Sequence, residues 1–126
     1  MINSLDLTIW GRDFTLPVDY DCFDDEQPYK EQNESLEKFM SNLQWLTESK
    51  SALEEFCRER VLEDEANEKK DNVFSYIKPD YIFVKREKKK TRVALMCKYR
   101  YDQEHGLAIV FACDGMVLIG SQDIIL

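Results

Sequence analysis

Hydrophobic and polar positions change period twice along the chain. LDLTIW (5–10) alternates apolar and polar, the two-residue period of a half-buried strand. GRD (11–13) reads as a turn and FTLPVDYDCF (14–23) as the returning strand. Pro17 places that strand at a sheet edge or a bulge, because proline cannot donate to a ladder. DDEQPYKEQNE (24–34) has the composition of an exposed loop leading into a helix. From Ser35 the period lengthens: Leu36, Phe39, Leu43 and Leu46 form one helical stripe. The stripe breaks at TESKS (47–51), where Ser51 and Glu54 fit a capping box. Leu53, Phe56, Cys57 and Val61 then mark a second helix that frays in 62–72, with one long bent helix as the alternative.

The period shortens again after residue 79. DYIFVKR (80–86), TRVALMCKYRY (91–101), LAIVFA (107–112) and VLIG (117–120) are separated by short turn signals. Val93, Leu95, Cys97, Tyr99 and Tyr101 share one face, whereas LAIVFA is apolar on both, as in a strand covered on both sides. Asp114-Gly115 between apolar runs predicts a two-residue hairpin with positive φ at both positions. The order β-β-α-α-β-β-β-β predicts an α+β fold: an antiparallel sheet of about six strands with two helices packed on it. The 126 residues fit one domain.

Composition narrows the class. No run approaches the roughly 20 apolar residues of a membrane span, and the start, MINSLDLTIWGRDF, lacks the charged and apolar regions of a signal peptide. The expectation is a cytoplasmic protein. Cys22, Cys57, Cys97 and Cys113 are far apart and show no CxxC, so they read as free thiols rather than a metal set. No metal or cofactor is expected. The net charge of −8 is uneven: residues 1–65 carry 17 acids and 6 bases, residues 66–126 carry 8 acids and 11 bases. Such a chain repels nucleic acid overall and attracts basic proteins.

Three segments hold candidate chemistry. His105, the only histidine, follows Asp102 and Glu104 and precedes Gly106; a general base is one reading, a turn closed by a left-handed glycine the other. No nucleophile elbow, phosphate loop or dinucleotide fingerprint accompanies it. The acidic run Asp19, Asp21, Asp24, Asp25, Glu26 has carboxylates for a hard cation but lacks the full ligand pattern of a calcium loop; a solvated loop is the default, and a surface complementary to a basic protein is the third reading. REKKKTR (86–92) is the strongly basic segment. It reads as a lysine-guarded hairpin tip or, with Lys88, Lys89, Lys90, Arg92 and Arg100, as an RNA-binding surface.

The C-terminal third carries a family likeness. CKYRYDQEHGLAIVF followed by VLIGSQDIIL resembles a widespread family of small uncharacterised bacterial domains. In that family an aromatic strand enters an Asp-x-Glu-His-Gly-Leu turn, and an apolar strand then leads to a closing hydrophobic-Gly-x-x-Asp. Here those positions are Tyr101, Asp102, Glu104, His105, Gly106 and Leu107, then Ile119, Gly120 and Asp123. In size, acidity and style such domains are similar to the immunity proteins of contact-dependent and other polymorphic toxin systems. The resemblance therefore implies a non-enzymatic binding protein that neutralises a cognate toxin with a basic surface, such as a nuclease. The expected contact residues are Asp21, Asp24, Asp25 and Glu26 with Glu54, Glu55 and Glu59 of the second helix. A small enzyme using His105 with Asp102 or Glu104 is the alternative, and a homodimer stays open.

Overall fold

The computed structural model describes residues 2–60 and 73–126, with the backbone alone for Glu59 and Arg60. Six strands form one sheet whose spatial order is their sequence order: β1 (Ser4–Ile9), β2 (Arg12–Tyr20), β3 (Ile77–Val84), β4 (Arg92–Tyr99), β5 (Leu107–Ala112) and β6 (Val117–Gly120). Two helices, α1 (Lys30–Met40) and α2 (Gln44–Arg60), connect β2 to β3. The expected α+β layout is present. One pair departs from antiparallel: β2 and β3 run parallel over Val18–Tyr20 and Ile82–Val84, because the helical crossover returns the chain to the same end of the sheet.

Alternation along the strands divides the interior in two. Leu5, Leu7, Leu16, Ile82, Leu95, Leu107 and Ile109 face the helices and pack with Leu36, Phe39, Leu46 and Leu53. α1 lies over β3 and β4, α2 over β5 and β6. On the opposite face Phe83, Ala94, Met96, Ala108 and Val110 form a smaller cluster closed by Ile125, just beyond a 3-10 turn, Gln122–Ile124. Hence LAIVFA is buried on both sides, as its composition requires.

Several boundaries differ from the sequence reading, each for a local reason. The first hairpin turns at Trp10-Gly11 rather than at residues 11–13, with both φ angles positive, 48° and 88°. A left-handed conformation is costly for tryptophan. It is held because the indole donates to the Leu46 carbonyl at 3.0 Å and packs on Phe74. β2 lies between β1 and β3, so it is neither the edge strand nor the bulged strand that Pro17 suggests in the sequence. Pro17 precedes the β2–β3 ladder by one residue, so its missing N–H leaves no partner short.

The helices break at residues 41–43, where the Asn42 amide donates back to the Lys38 carbonyl at 2.8 Å. TESKS instead lies within α2; its buried Ser49 satisfies its hydroxyl on the Leu46 carbonyl, and Ser51 and Glu54 cap nothing. Val61 and residues 62–72 lie outside the described residues. The β5–β6 loop is three residues long, Cys113–Gly115, with positive φ at Gly115 alone. Gly115 N–H reaches the Ala112 carbonyl and Ala112 N–H the Met116 carbonyl, the pattern of a turn followed by a glycine bulge.

The start of α1 is set by Gln32, which the sequence placed in an exposed loop. Its side chain is fully buried. The amide oxygen accepts the Tyr29 N–H at 2.8 Å, while the amide nitrogen donates to Asp21 O at 3.2 Å and Val84 O at 3.1 Å. One side chain thus joins the helix start to the ends of β2 and β3. Gln32→Met keeps the volume and strands these groups, so it is expected to destabilise the fold by about 3 kcal/mol. A urea midpoint unchanged from wild type would refute this role.

Candidate functional site

The turn around His105 is built as a clasp for the C-terminal segment. Tyr99 O accepts the Asp102 N–H at 3.2 Å, and Asp102 O accepts the Gly106 N–H at 2.9 Å. The Asp102 carboxylate takes the His105 N–H at 3.2 Å and meets the imidazole Nδ1 at 3.0 Å. His105 O in turn accepts the Gln122 N–H, and Gln122 Nε2 donates to Cys97 O at 3.1 Å. Gly106 has φ +63°, and a Cβ there would lie 2.7 Å from Gln122 Nε2 and 2.9 Å from Cys97 O. Both its conformation and the space around it therefore require glycine.

His105 itself is half exposed, and Asp102 is its one ion-pair partner among the described residues. A cavity of about 230 Å3 beside the turn is lined by Phe56, Tyr99, Tyr101, Asp102, Gly106 and Ser121, not by the imidazole. Glu104 is exposed and has no hydrogen-bonded partner in the turn. Gly106 is explained by backbone geometry and Asp102 by its bonds within the turn; His105 contributes a ring contact to Asp102, and Glu104 has no bond there.

The acidic loop and the basic hairpin, read from sequence as rival sites, meet. Asp21 accepts the Arg86 backbone N–H at 3.1 Å and pairs with Lys85 at 3.7 Å. Glu26 pairs with Arg86 at 2.9 Å and also accepts the Phe23 N–H. The Arg86 guanidinium lies 3.9 Å from the Tyr29 ring centre and donates to Gln27 O, and Lys88 stands 4.6 Å over the same ring. Arg92 is held by two bonds to Glu87, at 2.9 and 3.1 Å. Lys89 and Lys90 at the tip are exposed and have no partner among the described residues. Arg100 lies beyond the far end of β4, so the five cations proposed for RNA share no common surface.

Among the predicted contact residues, Asp24 and Asp25 are exposed and make no ion pair with another described residue, whereas Asp21 and Glu26 are held by cations. Glu54 and Glu55 do not join them. Glu54 acts on Tyr76 at the start of β3, while the loop sits at the strand's other end, roughly 23 Å away at the rise of an eight-residue strand. The Glu59 side chain lies outside the described residues. Instead the loop's carboxylates continue onto α1, where Glu34 and Glu37 are exposed and make no ion pair with another described residue. Sequence reasoning missed both, although they follow the acidic run within a few residues. Burial, and to a lesser extent the neighbouring Asp21 charge, raises Asp19 above the ordinary carboxylate value. Among the described residues no three His, Cys, Asp or Glu side chains are grouped to hold a metal.

Residues 3–126 match the family model of a domain of unknown function, DUF6985. No curated protein and no solved structure matches.

Two expectations follow for the turn. Gly106→Ala combines left-handed strain with collisions and should cost about 3 kcal/mol, whereas Gly11→Ala, with open space around its Cβ, should cost about 1 kcal/mol. Equal denaturant midpoints for the two variants would contradict the clasp. The hydrogen bond and charge of Asp102 raise His105 above 6.5, while the His105 backbone and side-chain bonds lower Asp102 below 3.8. The histidine contribution is full below its unfolded value and lost as pH rises through the folded one; the aspartate contribution is lost as pH falls through its own. The pair is therefore strongest between 3.8 and 6.5. Titration by NMR should place His105 above 6.5, and Asp102→Asn should bring it back toward that value.

Proposed function

We propose, for a chain that belongs to the DUF6985 family of domains of unknown function, that it is a non-enzymatic protein-binding module. Within that class the reading is an immunity protein: it neutralises a cognate bacterial toxin by covering a basic active site or another essential basic surface. The observation that carries this reading is the concentration of charge. Between residues 19 and 37 the chain holds eight carboxylates against one lysine, nearly the whole net charge of −8. Internal pairing removes acids and bases one for one, so it cannot reduce that excess.

The surface is also ordered. Arg86 and Lys85 hold the loop from beneath, which leaves Asp24, Asp25, Glu34 and Glu37 facing outward on a loop and the helix that follows it. A fixed array of carboxylates resembles the phosphates that a nuclease cleft is built to receive. It speeds encounter with such a cleft and leaves little ordering entropy to lose on binding. No helix among the described residues is long and apolar enough to cross a membrane.

Affinity capture from the native cells, with washes at low and high salt, should return one stoichiometric basic protein that high salt elutes. Reversing Asp24→Lys together with Asp25→Lys should slow its association roughly tenfold or more and flatten the salt dependence. An association rate unchanged by the double reversal would move the interface off this face. An empty eluate would remove the reading.

A further inference from the structure

The sheet ends in β1 on one side and β6 on the other, and the two edges differ in chemistry. In β6 the direction of the backbone groups is set where Ala112 N–H donates to Met116 O at 2.9 Å. Leu118 and Gly120 therefore exchange hydrogen bonds with β5, and the N–H and C=O groups of Val117 and Ile119 point away from the sheet. No described residue outside the sheet bonds them.

The side chains along this edge are apolar. Val117 and Ile119 turn toward the helices. On the other face Met116 is 70 % and Leu118 56 % exposed. Gly120 follows on that face with Ile124 over it, so close that a Cβ there would stand 3.0 Å from Ile124 Cγ2. Charged residues make up 33 % of the chain, yet residues 116–121 (MVLIGS) hold none. Lysine, proline or a bulge commonly guards an open edge against pairing. β6 has neither lysine nor proline, and its register with β5 is unbroken.

We propose that β6 is a self-association edge: two copies of the chain join antiparallel about a two-fold axis at Leu118, so that one six-stranded sheet continues into the next. The register is self-complementary. With Leu118 opposite Leu118 of the second copy, Val117 of each chain exchanges N–H···O bonds with Ile119 of the other, and every outward group of the strand is used. The two Leu118 residues form the kind of pair in which side chains come closest, with Cα atoms about 4.5 Å apart. Met116 falls opposite Gly120 of the second copy, which leaves it room to lie against Ile124 there. α2 covers β5 and β6, so pairing sets the two α2 helices side by side, two strand spacings or roughly 10 Å apart, the distance at which helices pack. A second copy suits this edge better than a basic partner, which would find no carboxylate on it. Two copies of net charge −8 repel, and an uncharged strip is where they can meet. The edge of β1, by contrast, carries Asp6 at mid-strand, and antiparallel self-pairing there brings two carboxylates together.

Sedimentation equilibrium of the full chain, from micromolar to millimolar concentration and at low and high salt, tests the edge. A contact of one short strand and a helix flank lies at the small end of specific interfaces, so a reversible dimer with Kd on the order of 100 μM is expected. Salt should tighten it, because screening relieves the repulsion between like-charged copies; a complex with a basic partner responds in the opposite direction. Leu118→Lys, at an exposed position, should leave the denaturant midpoint unchanged and weaken the dimer roughly tenfold or more. Phe23→Lys adds the same charge at a site 78 % exposed and away from β6, and should leave the dimer intact. The register is read by oxidation of cysteine variants carrying Cys22→Ser and Cys113→Ser. Leu118→Cys, beside the axis, should cross-link two chains. Met116→Cys, whose two copies lie roughly 14 Å apart at the rise of a strand, should not. A monomer at every concentration, a dimer insensitive to Leu118→Lys, or faster cross-linking through Met116→Cys than through Leu118→Cys would overturn the proposal.

Discussion

Gln32 sits where two strands and a helix end together, and both its donors and its oxygen are engaged there. β2 and β3 are paired over only three residues, Val18–Tyr20 with Ile82–Val84, and beyond Tyr20 the strands would part. The buried amide replaces the ladder at that point. It takes the Val84 carbonyl, which also accepts the Asp21 N–H at 2.9 Å, and fixes the first turn of α1 through Tyr29. The loop carrying the exposed carboxylates runs from Asp21 to Tyr29, so both its ends are tied to this one side chain. The acidic face owes its shape to a neutral residue beneath it.

Charge is arranged in two tiers. The lower tier is internal: Lys85 and Arg86 engage Asp21 and Glu26, and Arg86 with Lys88 covers the Tyr29 ring. Exposed pairs of this kind contribute little stability by themselves, but here they share Arg86 and hold a loop to a hairpin. The upper tier is what pairing leaves over, the outward carboxylates of the loop and α1. A basic segment that looks from sequence like a second binding site is the support of the first.

Patterns carried by neighbouring residues were legible in the sequence. The shared face of Val93, Leu95, Cys97 and Tyr99 in β4 and the double-sided burial of β5 appear as read, because the face a strand residue takes follows from a period of two. The burial of β4 on its other face, through Ala94 and Met96, was not read from the sequence. The turn at His105 was likewise legible as a turn, since Asp102, His105 and Gly106 bond mainly to each other. Features set by long-range contacts were hidden. Gln32 owes its burial to Val84, fifty-two positions away, and Trp10 owes its left-handed backbone to Leu46. The helix break was misplaced because Leu43 continues the apolar stripe in sequence while lying in the turn, largely exposed. The acidic site was half legible: the run Asp19–Glu26 stood out, but its partnership with Arg86 and its extension to Glu37 depend on how the loop and α1 are set against β3.

A sheet whose spatial order equals its sequence order has a kinetic corollary. β3 to β6 form a meander in which every pairing joins chain neighbours, and β1–β2 is a hairpin, so these pieces close short loops and can form early. The one slow step is the parallel junction of β2 with β3, which must wait for the intervening helical segment to fold back. Amide hydrogens of the central meander should accordingly outlast those of the N-terminal hairpin in native-state exchange.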